Sequence, residues 1–156
     1  MTETREGAKS GAKEFVTVTI AGQMFGIPVL AVQDVLGPQR IARIPLAALE
    51  VAGALNLRGR IVTAIDLRVR LGLPSRADGE KSMSVVVDHH GEFYSLIVDA
   101  VGEVLSLPDE DFERNPATLD QLWRGVSMGI FRLQKELLVV FDVDKLLELG
   151  TTRRAA

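Results

Sequence analysis

The 156-residue sequence predicts a mainly β fold built as small barrels or a sandwich. Three observations point there. About ten short runs rich in Val, Ile, Leu, Phe and Thr recur along the chain, at lengths suited to strands. Turns containing glycine separate many of them, as in small all-β folds. Helical patterning is confined to about two to four short stretches, too few for alternating βαβ units.

The first strand is expected over Phe15-Val16-Thr17-Val18-Thr19-Ile20, where apolar residues alternate with threonine. Ala21-Gly22-Gln23 turns the chain, and Met24-Phe25-Gly26-Ile27 returns as a hairpin partner. Pro28 donates no backbone hydrogen bond and marks an edge or bend, and Val29 to Leu36 stays apolar until Gly37-Pro38. After Ile41, the Leu46 to Leu49 stretch could form one helical turn. Val51 to Leu57 and Ile61 to Ile65 read as a strand pair around Arg58-Gly59-Arg60. Asp66 is placed to cap a short helix over Leu67 to Leu71 that Gly72 and Pro74 close. Residues 74–82 form a polar loop, a natural division between two barrel-like halves.

Beyond the loop, Met83 to Asp88 and Glu92 to Val98 flank His89-His90-Gly91, and a further strand runs from Val101 to Leu107. Pro108 can open a helix whose positive end Asp109, Glu110 and Asp111 would stabilise, until Asn115-Pro116 breaks it. Val126 to Leu133 pairs with Leu137 to Phe141 around Gln134-Lys135-Glu136. Asp142 can cap a last helix with an apolar stripe at Val143, Leu146 and Leu147 and a stop at Gly150. Direct comparison of the two halves shows no internal repeat. Residues 1–13 and 151–156 read as tails around a domain at 14–150.

Composition bounds the function. Hydrophobic residues make up 47%, enough for a core, and the absence of cysteine excludes disulfides and thiolate chemistry. A net charge of -3 argues against bulk nucleic-acid binding. Residues 1–13 lack the apolar run of a signal peptide, and no stretch nears the ~20 apolar residues of a membrane span. A soluble, cytoplasmic protein without membrane insertion is the expectation.

Candidate chemistry is sparse. His89 and His90 are adjacent, so on a strand they face opposite sides and would not share a metal without a bend; a solvated hairpin end is the plainer reading. Asp109, Glu110, Asp111 and Glu113 could act as acids, bases or hard-cation ligands, but helix-end stabilisation accounts for their clustering. A hydrolase with an unrecognised site around these histidines and acids is a further reading. Arg58, Arg60, Arg68 and Arg70 form a group that is either solvated or meets carboxylates on a partner. A nucleic-acid or anion-binding module would use the same Arg58–Arg70 patch, with only Trp123 and Tyr94 to supply stacking. No nucleophile elbow, phosphate-cradling lysine loop or HExxH motif is present; that absence does not exclude an enzyme, but it leaves no catalytic motif, cofactor or metal to argue for.

One stretch carries more. Asn56-Leu57-Arg58-Gly59-Arg60-Ile61-Val62-Thr63-Ala64-Ile65-Asp66-Leu67-Arg68 resembles the central signature of the CheW-like family, the chemotaxis coupling proteins and the regulatory domains of their kinases. Phe15 to Ile27 resembles the family's opening hairpin, and Val32-Gln33-Asp34-Val35 resembles a segment that follows it. Ile97 to Val101 with Val104-Leu105 and Val139 to Leu147 resemble its second-half strands and closing helix. There are departures: Tyr94-Ser95 stands where a small glycine is common, Ala64 where proline is common, and Trp123 to Gly129 fits loosely.

The resemblance implies two five-stranded, SH3-like β-barrel subdomains with a few short helices. It implies an adaptor that couples the cytoplasmic tips of chemoreceptors to the regulatory domain of a CheA-type histidine kinase, catalyses nothing, is recruited to membrane receptor arrays and can assemble in rings with the kinase. Val32, Asp34, Arg58 and Val101 match positions associated with receptor contact, Gly53 and Gly125 positions associated with kinase contact. All but Asp34 have a structural alternative: core packing for the valines, a lock between the halves for Arg58, relief of backbone crowding for the glycines.

Overall fold

The computed structural model describes residues 11–77 and 79–148. The expected tails at 1–13 and 151–156 therefore lie largely or wholly outside the described residues, as does the stop at Gly150. Ten strands run through the described residues. They are β1 (Ala12–Ile20), β2 (Gln23–Pro28), β3 (Val32–Leu36), β4 (Val51–Leu57) and β5 (Arg60–Asp66), then β6 (Met83–His89), β7 (Glu92–Val98), β8 (Ala100–Pro108), β9 (Ser127–Arg132) and β10 (Leu137–Phe141). Three one-turn helices accompany them: α1 (Leu67–Arg70), α2 (Gln121–Arg124) and α3 (Val143–Leu146). Two 3₁₀ turns occupy Val29–Ala31 and Asp109–Asp111.

The strands form two five-stranded sheets, in the orders β9-β10-β2-β1-β8 and β4-β5-β7-β6-β3. These orders correspond strand for strand. Each sheet combines a three-strand run, β8–β10 or β3–β5, with a hairpin, β1–β2 or β6–β7, and each has one parallel pair, β10 with β2 or β5 with β7. The internal repeat missing from direct sequence comparison is therefore present in the topology. The second sheet is continuous in sequence. The first is closed by bringing the N-terminal hairpin against strands from the C-terminal half, so the chain leaves it after β2 and re-enters it after Asp99.

This path corrects the expected division. The 74–82 loop joins α1 to β6 inside the second sheet, whereas the passages between sheets are the 3₁₀ turn at Val29–Ala31 and the single residue Asp99. Loop length reports solvent exposure, not which strands pair.

Tight turns fix the registers. Ala21-Gly22, Arg58-Gly59 and His90-Gly91 each have positive φ at both positions, the type I′ geometry that matches strand twist. Ile20 then pairs with Gln23, Leu57 with Arg60 and His89 with Glu92. The first strand begins two residues before Glu14, because Ala12 and Lys13 pair with Pro108 and Leu107.

The sheets share a core. Val18, Phe25, Ile65, Val85, Leu96, Ile130, Val139 and Phe141, drawn from both sheets, pack in one buried cluster with Leu67 of α1 and Leu146 of α3. On the other face of the first sheet, Phe15, Phe131, Leu138 and Val140 form a smaller cluster, and Leu55, Val62, Ala64 and Ile97 do so in the second. Neighbouring residues such as Leu138 and Val139 thus enter different clusters, as the alternation of a strand requires. Central strands buried on both faces read as the continuous apolar run Leu137 to Phe141.

Local expectations met different fates. Asp66 and Asp142 cap α1 and α3, accepting from the N–H groups of Arg68 and Lys145. Leu46 to Leu49 is not helical: Leu46 has φ 62 and is exposed, a run too short to repay helix nucleation. After Pro108 only the 3₁₀ turn forms, without a side-chain cap, because Glu113 is drawn into a bridge with Ile130. α2 was not anticipated; Asp120 caps it by accepting from the N–H groups of Leu122 and Trp123.

Candidate functional site

The signature arginine sits in the β4–β5 turn. Arg58 has φ 52 and a side chain 76% exposed, and it forms a 3.0 Å ion pair with Asp34 of β3. β3 and β4 are the opposite edges of the second sheet, so this pair spans the edges of the curled sheet. Two predicted receptor-facing residues are thus joined. The structure does not give Arg58 the role of a lock between the halves, since both partners belong to one sheet.

Val32 and Val101 lie on β3 and β8, an edge strand of each sheet, and both are half-buried against the shared core. Between Val32 and Asp34 the β3 register shifts, leaving Gln33 exposed. Both valines therefore pack and still present surface.

Gly53 has a definite structural task. Its φ is 150, and a Cβ there would run into the Ala42 carbonyl, which accepts a 2.8 Å hydrogen bond from Ala54. Gly129 repeats this in the first sheet, where a Cβ would meet the Phe112 ring and the Glu113 carbonyl. Gly125 ends α2 with φ -67, beside an open depression lined by Arg70, Gln121, Leu122 and Val126.

The link between the sheets is elsewhere. Asp99, at the passage from β7 to β8, accepts from Arg68 Nε at 3.0 Å and Nη2 at 2.6 Å, from Arg76 Nε at 3.1 Å, and from the Ala21 N–H at 2.8 Å. The three side chains are largely buried. Burial alone would push the Asp99 carboxyl up; the Arg68 hydrogen bonds, the Ala21 N–H and Arg76 outweigh it and hold it down to about 2. The same hydrogen bond keeps the Arg68 guanidinium above its ordinary value against desolvation. Sequence reasoning missed this cluster because its members are separated in the chain. An N-cap placing Arg68 beside the loop carrying Arg76 was the available signal.

The four arginines of the group each engage a partner within the chain. Arg58 meets Asp34, Arg68 meets Asp99, Arg60 lies 3.8 Å over the Phe93 ring, and Arg70 donates to the carbonyls of Leu146 and Lys145 at 2.9 Å. The hydrolytic grouping also dissolves. Asp109 pairs with Lys13 and Glu113 with Arg132, while His89 and His90 turn to Asp144. An unanticipated apolar groove runs between Phe15, Leu30, Phe112, Met128 and Phe131, with Leu30 98% exposed.

What these elements present is surface: edge strands, a turn and half-buried apolar residues held on one rigid core, the equipment of an adaptor. A model of the CheW-like domain matches residues 14–150, and the chain belongs to that family. It is 30% identical to the chemotaxis protein CheW of Klebsiella aerogenes over 94% of this chain and 88% of that one. With CheW of Rhizobium meliloti it shares 24% identity over 92% and 93% of the two chains. The crystal structure of the scaffolding protein TtCheW from Thermoanaerobacter tengcongensis superposes with a TM-score of 0.80 at 28% identity, covering 91% of this chain and 97% of that one. The chain is a chemotaxis coupling adaptor.

Proposed function

We propose that this adaptor joins chemoreceptors to a CheA-type histidine kinase through two separate surfaces, in the cytoplasm, without catalysing a reaction. The receptor surface comprises Val32, Asp34, Arg58 and Val101. The observation that carries it is the Asp34–Arg58 pair at the rim of the second sheet, next to a half-buried valine on the same strand. A receptor coiled-coil tip offers a helix whose apolar stripe can cover the valines while its polar flank meets the ion pair. Gly125, at the end of α2, belongs to the kinase surface, and Gly53 supports that surface by letting residues 41–42 lie against β4.

Titration against the regulatory domain of a CheA-type kinase, with and without a receptor-tip fragment, tests the reading. Micromolar binding to both is expected of interfaces of modest area. Binding to neither would remove this partner assignment. Arg58→Ala is expected to weaken receptor-tip binding about tenfold while changing stability by less than about 1 kcal/mol, since the ion pair is exposed. Unchanged receptor affinity in a folded Arg58→Ala protein would exclude Arg58 from the receptor surface.

A further inference from the structure

We propose that His89, His90 and Asp144 form a binding site for a divalent transition ion of the zinc class, joining the two sheets. The strand alternation that would separate two adjacent histidines is broken here. His89 is the last residue of β6, and His90 opens the type I′ turn with φ 54. That left-handed residue swings the second imidazole toward the first, and the ring centroids come to 4.1 Å. Asp144 arrives from α3, the helix that follows β10 of the other sheet.

The spacing suits one ion. One nitrogen of each ring and a carboxylate oxygen of Asp144 all lie within 4.8 Å of one another. His89 Nδ1 is 3.2 Å from Asp144 Oδ1, and His90 Nε2 is 4.0 Å from the same oxygen. Ligands about 2.05 Å from a tetrahedral zinc stand about 3.3 Å apart, so side-chain rotation alone completes the set. Neighbouring acids are engaged otherwise: Asp88 accepts from the Gly91 N–H at 2.9 Å, and Glu92 from the Tyr94 hydroxyl at 3.2 Å. His90 and Asp144 are 77% and 73% exposed, which leaves water access to a fourth coordination position.

The donor set chooses the ion. Two imidazoles and one carboxylate suit Zn²⁺, Ni²⁺ or Cu²⁺, whereas Mg²⁺ and Ca²⁺ prefer all-oxygen shells. Because the histidines belong to one sheet's hairpin and the aspartate to a helix anchored on the other, a bound ion would staple the two and stabilise the folded chain by mass action.

The test uses the full-length chain without a histidine tag, stripped of metal by a chelator. ZnCl₂ at about a hundredfold excess over its Kd is expected to raise the Tm by about 5 °C or more. EDTA should reverse the shift, and MgCl₂ should give none. By calorimetry His89→Ala, His90→Ala and Asp144→Asn should each weaken Zn²⁺ binding at least about tenfold, as loss of even outer partners of a metal site does. The exposed His90→Ala and Asp144→Asn variants keep the test clear of misfolding. Absence of both binding heat and a Tm shift with zinc would overturn the site, as would binding that survives in all three variants.

Discussion

Asp99 shows how one residue can hold two sheets in register. It is the only residue between β7 and β8, so its backbone makes the passage while its carboxylate gathers Arg68, Arg76 and the Ala21 N–H. Its carboxyl falls from 3.8 to about 2, so the charged form is favoured by the fold. After solvent screening that shift stands for about 1–2 kcal/mol of stability. The sign follows from linkage: a carboxyl held low in the folded state contributes fully above its unfolded value near 4, and the contribution fades as pH falls through about 2. In urea denaturation, Asp99→Asn is expected to cost about 3 kcal/mol at pH 7, because two guanidinium groups lose their counter-charge. The gap between native and variant should hold from pH 7 to about 5 and narrow between about pH 4 and 2. A gap independent of pH would mean the carboxylate's charge contributes nothing there.

At the scale of elements, the paired glycines carry the repeat that the side chains hide. Gly53 lies thirteen residues before the cap Asp66, and Gly129 thirteen before the cap Asp142. In both strands the register shifts just ahead of the glycine and an outside residue, Ala42 or Glu113, bridges to the residue after it. Gly53→Ala and Gly129→Ala should each lower unfolding free energy by at least about 2 kcal/mol, since a Cβ at either site strikes backbone carbonyl atoms. Gly37→Ala, with open space around it, should stay within about 0.5 kcal/mol. Equal effects at all three positions would refute the close-approach explanation.

The same elements show what was legible in the sequence. Strands with β-branched runs, two-residue turns and Asp caps next to apolar stretches could be read, because each rests on neighbours in the chain. The Asp34–Arg58 pairing, the Asp99 cluster and the convergence of His89, His90 and Asp144 could not, since each joins residues brought close only by strand order. The family signature led to Arg58 and the adaptor class without requiring that geometry.

For the whole molecule, the order of strands decides how the adaptor responds to load. The first sheet needs β1 and β2 from one end of the chain and β8–β10 from the other, and the second sheet fills the interval between them. A single core drawn from both sheets then joins the two halves more firmly than a polar interface between domains would. Unfolding should accordingly be one transition. Trp123 packs on Phe25 with ring centroids at 5.3 Å and donates to the Leu71 carbonyl at 3.1 Å, so its fluorescence reports on the junction of the sheets. Circular dichroism reports on the strands of both. The two probes are expected to give the same urea midpoint, and a chain lacking residues 1–31 to show no cooperative transition, since the central strands of the first sheet would be gone. Separate midpoints, or a folded truncation, would mean that the halves are independent bodies. Coincident midpoints would mean that the proposed receptor surface around Arg58 and the proposed kinase surface at the end of α2 belong to one cooperative body. Movement at one surface would then reach the other as displacement of the whole adaptor, without a change in its internal packing.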